Sequence, residues 1–179
     1  MPLSALIRLL LLGMIWGASF LFQRITVPVV GASFTAAIRL ALSAAMLVFV
    51  LRLLGRSLDL RRQWRAWLWL GTISAALPFL CFAYAARSLP AGYMAVINAT
   101  VPLLTVIFAA LLWRVRASWS KRIGVVVGLI GVGVLARYGS LGMNTQALLA
   151  IGLCFVASAL YAYSSLFIRQ HHANVNPLV

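Results

Sequence analysis

Acidic residues are almost missing from this chain: one carboxylate, Asp59, stands against 15 lysines and arginines in 179 residues. That scarcity rules out catalysis by paired carboxylates, and no histidine interrupts an apolar run to supply a base or a metal ligand. Charged residues of either sign are only 9% of the sequence and hydrophobic ones 64%. A globular protein of that composition would have no polar coat, so water is not its main solvent. There are just two cysteines, Cys81 and Cys154, both inside apolar runs. A free thiol there behaves as a small apolar residue, which argues against a disulfide framework or a metal site. The two histidines, His171 and His172, follow the last run without nearby Cys, Asp or Glu and read as solvated loop. In a soluble protein a net charge of +14 would point to nucleic acid. Here the basic residues lie between apolar runs rather than along one face, as the positive-inside rule leads one to expect.

What is present is length without charge. Six apolar stretches dominate, at Leu6–Gln23, Phe34–Leu54, Ala66–Ala86, Ala91–Trp113, Ile123–Tyr138 and Ala147–Ile168. A helix needs roughly 20 mostly apolar residues to cross about 30 Å of hydrocarbon. The expected fold is therefore an all-α polytopic membrane bundle with six spans. The first run continues past Leu12 to Gln23 without a cleavage site, so it reads as a retained span rather than a signal peptide.

Orientation follows from the loops. If all six runs cross, eleven basic residues fall on one side: Arg8, the five between Arg52 and Arg65, the four between Arg114 and Arg122, and Arg169. Three, Arg24, Arg87 and Arg137, fall on the other, and Arg39 lies within a span. This asymmetry places the amino terminus in the cytoplasm. Most of the tryptophans, Trp64, Trp67, Trp69, Trp113 and Trp119, cluster near the cytoplasmic ends of spans and read as headgroup anchors.

The end of the first span recurs in the sixth. Trp16-Gly17-Ala18-Ser19-Phe20-Leu21-Phe22-Gln23-Arg24 aligns without gaps to Tyr161-Ala162-Tyr163-Ser164-Ser165-Leu166-Phe167-Ile168-Arg169. Ser, Leu, Phe and Arg are identical, and the offset contains five spans, an odd number, so the second copy enters the membrane the other way round. Inverted repeats of this kind typify secondary transporters, with sites near the midplane between the halves. The division expected is residues 1–140 as a first five-helix unit and 141–179 as the start of a second, in which about four more spans should follow.

Several side chains stand out. Pro78 and Pro102 lie within spans and free the carbonyls of Ser74 and Asn98, which must be met by packing, a side chain or water in a cavity. Asn98, with Thr100 close by, is either interhelical glue or part of a ligand path. Trp16 lies about mid-span beside Gly17 and Ser19, as a cavity wall or as core. Tyr84, near the outer end of span three, reads as a cavity residue or an interfacial anchor. Arg39 lies about 7.5 Å inside the outer end of span two with no acidic residue near it in sequence. It either snorkels outward or uses its fork on freed carbonyls, an aromatic ring or a substrate anion. The candidate substrate-binding residues are thus Trp16, Ser19, Arg39, Tyr84, Asn98 and Thr100. Gly124, Gly128 and Gly131 form one stripe on span five, where another helix could approach closely.

Trp16-Gly17-Ala18-Ser19-Phe20, Ala37-Ile38-Arg39, Tyr84 to Gly92, Asn98-Ala99-Thr100-Val101-Pro102-Leu103 and Gly124 to Gly133, in this order and spacing, resemble the EamA-type drug/metabolite transporters. The resemblance runs over essentially the whole chain. It implies a ten-span 5+5 carrier in the plasma membrane, a bacterial inner membrane, exporting or exchanging small organic metabolites through a cavity lined by spans one, three and four of each half. A Gly-Glu pair usual after span four is replaced by Trp113-Arg114, so any role of that glutamate is not carried over. The partners expected are a small-molecule substrate and the lipid bilayer, with a second copy of the chain as a further candidate; neither nucleic acid nor a cofactor is expected. The competing reading is a non-transporting membrane scaffold or subunit, which would leave the inverted repeat and the polar-flanked prolines unexplained.

Overall fold

The computed structural model describes residues 3–55, 60–114, 118–138 and 144–171. The described secondary structure is helical throughout: α1 (Leu3–Val30), α2 (Ala32–Leu53), α3 (Leu60–Gly71), a π-helical turn (Thr72–Ala76), α4 (Leu77–Ala85), α5 (Ala91–Asn98), α6 (Val101–Trp113), α7 (Trp119–Tyr138) and α8 (Thr145–His171). Span three is α3, the π turn and α4 in series, and span four is α5 followed by α6. Among the described residues five stretches are long and apolar enough to cross a bilayer: Leu3–Val30, Ala32–Leu53, Trp64–Ala85, Ala91–Leu112 and Thr145–Gln170. The 20-residue α7 adds a sixth helix of about 30 Å at 1.5 Å per residue. The expected boundary between residues 140 and 141 lies outside the described residues.

Span one is longer than its apolar run implies, because Gln23 and Arg24 do not end it; α1 continues through Pro28 to Val30. Both polar side chains find partners across the bundle. Gln23 is buried and its Nε2 donates to the Phe79 carbonyl at 3.4 Å. Arg24 Nη1 donates to the carbonyls of Ala86 at 2.5 Å and Arg87 at 3.1 Å, meeting groups exposed where α4 ends. A single residue then turns the chain into α2. Gly31 has φ +84, a left-handed conformation open to glycine and costly for most other residues, and Thr35 closes the turn by donating Oγ1 to the Gly31 carbonyl at 2.8 Å.

The two prolines have different effects. Pro78 is buried directly after the π turn, in which the Leu77 N–H reaches back to the Thr72 carbonyl. The wider turn accommodates a residue that cannot donate, so span three continues through it. Pro102 instead starts a helix. After Asn98 the α-helical hydrogen bonding gives way to a tight turn at Ala99 and Thr100, whose backbones stay in the right-handed region, and Pro102 occupies the first turn of α6, where no N–H donor is needed. At the break three donors converge on the Ile97 carbonyl: Thr100 N at 3.0 Å, Thr100 Oγ1 at 2.6 Å and, from α8, Ser158 Oγ at 3.3 Å.

The sixth span is packed into the first five. On α8 the buried residues Ala147, Ala150, Cys154, Ala157, Ser158 and Ala162 recur at helical spacing, a small-residue face that lets neighbouring helices approach closely. They meet a core of Phe82, Ala83, Ala85, Ala86, Leu89, Met94 and Ile97 from α4, the following turn and α5. Asn144 caps the start of α8, its Oδ1 accepting from the Ala147 N–H at 2.8 Å. By contrast α1 and α2 leave most of their apolar residues exposed, including Leu42, Met46 and Phe49. Of the glycines on α7, Gly128 alone among Gly124, Gly128 and Gly131 has a neighbour where a side chain would be; an added Cβ would run into Leu103 Cδ1.

Candidate functional site

A niche of about 110 Å³ opens where five of the spans meet. It is lined by Trp16, Ser19 and Phe20 from α1, Arg39 from α2, Phe79 and Phe82 from α4, Asn98 from α5 and Tyr161 from α8. The local sequence explains how each is held. Trp16, Ser19 and Phe20 fall at positions i, i+3 and i+4, on one face of α1. Phe79 and Phe82 follow Pro78 by one and four residues on the stretch entered through the π turn. Asn98 is the last residue of α5, where the break leaves the helix end facing the niche.

One wall is aromatic. Phe20 meets Phe82 edge to face, with ring centroids 5.1 Å apart. Phe82 stacks against Tyr161 at 6.3 Å, and Tyr161 lies 6.4 Å from Trp16. These separations are within the range in which aromatic pairs attract beyond simple burial. The polar groups lie among these rings. The Arg39 guanidinium carbon is 4.1 Å from the centroid of Phe79, a cation–π contact, and no hydrogen bond or ion pair to Arg39 forms among the described residues. The Asn98 Oδ1 is buried and lacks a hydrogen-bond partner among the described residues.

Ser19 and Arg39 also border a wider, more open groove of about 600 Å³ between α1 and α2, lined further by Gln23, Thr26, Thr35 and apolar residues such as Ile15 and Phe22. The niche and the groove thus share two lining residues, Ser19 and Arg39. Gln23 contributes another buried acceptor without a partner among the described residues, its Oε1.

The structure brings four of the six candidate residues together: Trp16, Ser19, Arg39 and Asn98. Tyr84 and Thr100 stand apart. Tyr84 is exposed, shares a hydrogen bond of 3.0 Å with Ser33 Oγ and lies under Arg87, whose guanidinium carbon is 5.6 Å from its ring. Thr100 is buried with its hydroxyl engaged at the Ile97 carbonyl and borders a different groove, between span four and α7 with Leu103, Gly128 and Gly131. Sequence reasoning did not single out Phe20, Phe79, Phe82 or Tyr161 for the niche. Tyr161 could have been found, since it is the counterpart of Trp16 in the repeat match; the phenylalanines carry no signal that separates them from ordinary core. Arg24 and Arg87 meet at one end of the bundle, as the loop-by-loop count of basic residues requires of them.

The EamA-like transporter family model matches residues 3–137. No curated protein and no solved structure matches the chain.

Proposed function

We propose, from the premise that this chain belongs to the EamA-like transporter family and is therefore a membrane transporter of the drug/metabolite superfamily, that it exports or exchanges small organic metabolites by alternating access around the niche at Trp16, Ser19, Arg39 and Asn98. The observation that carries the reading is the contact of Trp16 with Tyr161 at 6.4 Å. These two residues occupy equivalent positions in the repeat match between spans one and six. In an assembly of two halves related by a two-fold axis, equivalent residues touch each other only beside that axis. Their contact at the niche therefore supports a binding site between inverted halves, the arrangement in which secondary carriers expose one site to either side in turn. The open, apolar α1–α2 face suits coverage by other helices within the membrane.

Counterflow tests the carrier reading against a scaffold. Full-length protein in vesicles preloaded with the matching unlabelled compound should drive saturable accumulation of a labelled metabolite drawn from a panel of carboxylates, sugars and monoamines. A scaffold gives no such accumulation for any member.

The proposed location is the inner membrane of a bacterium with the amino terminus in the cytoplasm, which rests on the imbalance of basic residues between loops. Single cysteines replacing Ser57 and Ser140, positions outside the described residues, are expected to label from opposite sides in a background lacking Cys81 and Cys154. Ser140→Cys should react with an impermeant reagent on intact cells, and Ser57→Cys only after permeabilisation. Equal reaction at both positions on intact cells contradicts the assignment.

A further inference from the structure

Between the end of α2 and the start of span three the sequence carries five arginines, Arg52, Arg56, Arg61, Arg62 and Arg65, with one carboxylate, Asp59, and no lysine. One ion pair with Asp59 leaves four guanidiniums with no acidic side chain anywhere in the sequence to meet. Three of the five arginines belong to α3, where the helical repeat puts positions 61, 62 and 65 on one side together with Trp69. The opposite side, with Trp67 and Leu70, is the partly buried one. Arg65, Trp64, Leu68 and Trp69 are exposed, and α3 packs against little of the bundle beyond the π turn that follows it. The apolar span begins at Trp64, so these groups lie at the boundary between headgroups and hydrocarbon. The Arg65 guanidinium carbon is 5.3 Å from the centroid of the Trp64 ring, and no hydrogen bond or ion pair to Arg65 forms among the described residues. Its N–H edge is therefore free for a ligand while the indole steadies its plane.

We propose that this face of α3 holds the phosphate of an anionic phospholipid from the adjoining leaflet, in preference to zwitterionic lipids. A basic cluster directly beside a span attracts acidic headgroups. Arginine adds direction to that attraction, because a planar guanidinium takes two phosphate oxygens at once, a geometry a lysine cannot reproduce. The apolar neighbours decide between a lipid and a soluble polyanion. Trp64, Leu68 and Trp69 offer exposed apolar surface beside the charge, which suits a ligand with hydrocarbon beneath its anion. With the amino terminus in the cytoplasm, as proposed above, the lipid comes from the cytoplasmic leaflet. The preference itself depends neither on that orientation nor on the carrier reading.

The test uses full-length protein in phosphatidylcholine vesicles, with every tryptophan outside α3 replaced by phenylalanine so that Trp64, Trp67 and Trp69 alone report. Bromine on a lipid's acyl chains quenches indole fluorescence on contact. At a low fraction of labelled lipid, brominated phosphatidylglycerol should quench about fivefold more strongly than brominated phosphatidylcholine, the worth of about one basic residue at a charged surface. Replacing Arg61, Arg62 and Arg65 together by glutamine should bring that ratio to about one. The same three changed to lysine should keep about half of the preference, since charge remains without the fork. Arg65→Gln alone, at an exposed position that leaves the other basic residues in place, should lower the ratio by about half and serves if the triple variant does not fold. Monodisperse elution and unchanged quenching by brominated phosphatidylcholine identify folded variants. Glutamine at Arg114, Arg116, Lys121 and Arg122, the other basic cluster on this side, should leave the ratio unchanged. The inference is overturned if the two brominated lipids quench alike, if the triple glutamine variant or, where that does not fold, Arg65→Gln keeps the full preference, or if the second cluster matters equally. It is also overturned if soluble glycerol phosphate in excess abolishes the preference, because a free anion then serves as well as a lipid.

Discussion

Trp16→Ala lowers counterflow by the full-length protein about tenfold or more while its membrane abundance stays unchanged. The reason for expecting function to fail before stability is burial. Trp16 is 54% exposed, so removing the indole takes little packing away from the bundle, yet the same ring forms a wall of the niche and faces Tyr161. An aromatic pair of this kind contributes about 0.5–1.5 kcal/mol, and a tenfold loss corresponds to about 1.4 kcal/mol. The effect is thus within reach of one lost contact to a bound solute. Trp64, at 55% exposure, is the control: it sits near the start of the third span, with Arg65 over its ring at 5.3 Å, and Trp64→Ala should transport normally. Equal losses at both positions would show a general dependence on surface tryptophans instead of a wall at Trp16. Trp16→Phe should fall between, because a ring remains opposite Tyr161.

Arg24→Leu has the largest expected effect on stability. The side chain holds the end of α4 through two carbonyls, at Ala86 and Arg87, and Ala86 lies at the edge of the buried core. Hydrogen bonds from a charged donor contribute about 1.5–3 kcal/mol each, and leucine leaves both carbonyls unmet where α4 ends. A loss of about 2–3 kcal/mol is expected, read as a lower thermal unfolding midpoint of the purified protein and reduced abundance. Arg24→Lys should recover part of it, since an ammonium can serve one carbonyl but not the same pair in a fixed plane. An unchanged midpoint for the leucine variant would mean that water meets these carbonyls equally well.

The fold class and five of the six expected spans were legible because apolar runs of about 20 residues are long enough to cross a bilayer. Ends and breaks were less legible. The pair Gln23-Arg24 looks like the edge of a span when read locally; its partners, the carbonyls of Phe79, Ala86 and Arg87, lie more than fifty residues away, and nothing near position 23 announces them. Pro78 and Pro102 looked alike in sequence, yet one is accommodated by a π turn and the other begins a new helix. The second outcome has a local cause, since Thr100 can bond back to Ile97, and a remote one in Ser158. The glycine stripe of α7 likewise differs along its length, because only the position opposite Leu103 is occupied. At the niche, Arg39 and Asn98 stood out because polar groups are costly in apolar runs, and Trp16 because it lies away from the headgroup belt. Phe79 and Phe82 did not, since an aromatic residue among leucines reads the same whether it faces a cavity or a neighbouring helix. Tyr84 was open in sequence between a cavity residue and an interfacial anchor, and its hydroxyl bonds with Ser33 Oγ, away from the niche.

The central claim, that one niche is presented in turn to the two sides of the membrane, is tested most directly at Ser19, which borders both the niche and the wider groove. A single cysteine at this position, in full-length protein lacking Cys81 and Cys154 and reconstituted in one orientation, should react with an impermeant thiol reagent from either face of the vesicle. The vesicles should meanwhile show no ion conductance. Modification from one face should remove the protein available to reagent on the other, because each molecule exposes the niche to a single side at a time. Labelling confined to one face under every condition, or a standing conductance, would contradict alternating access.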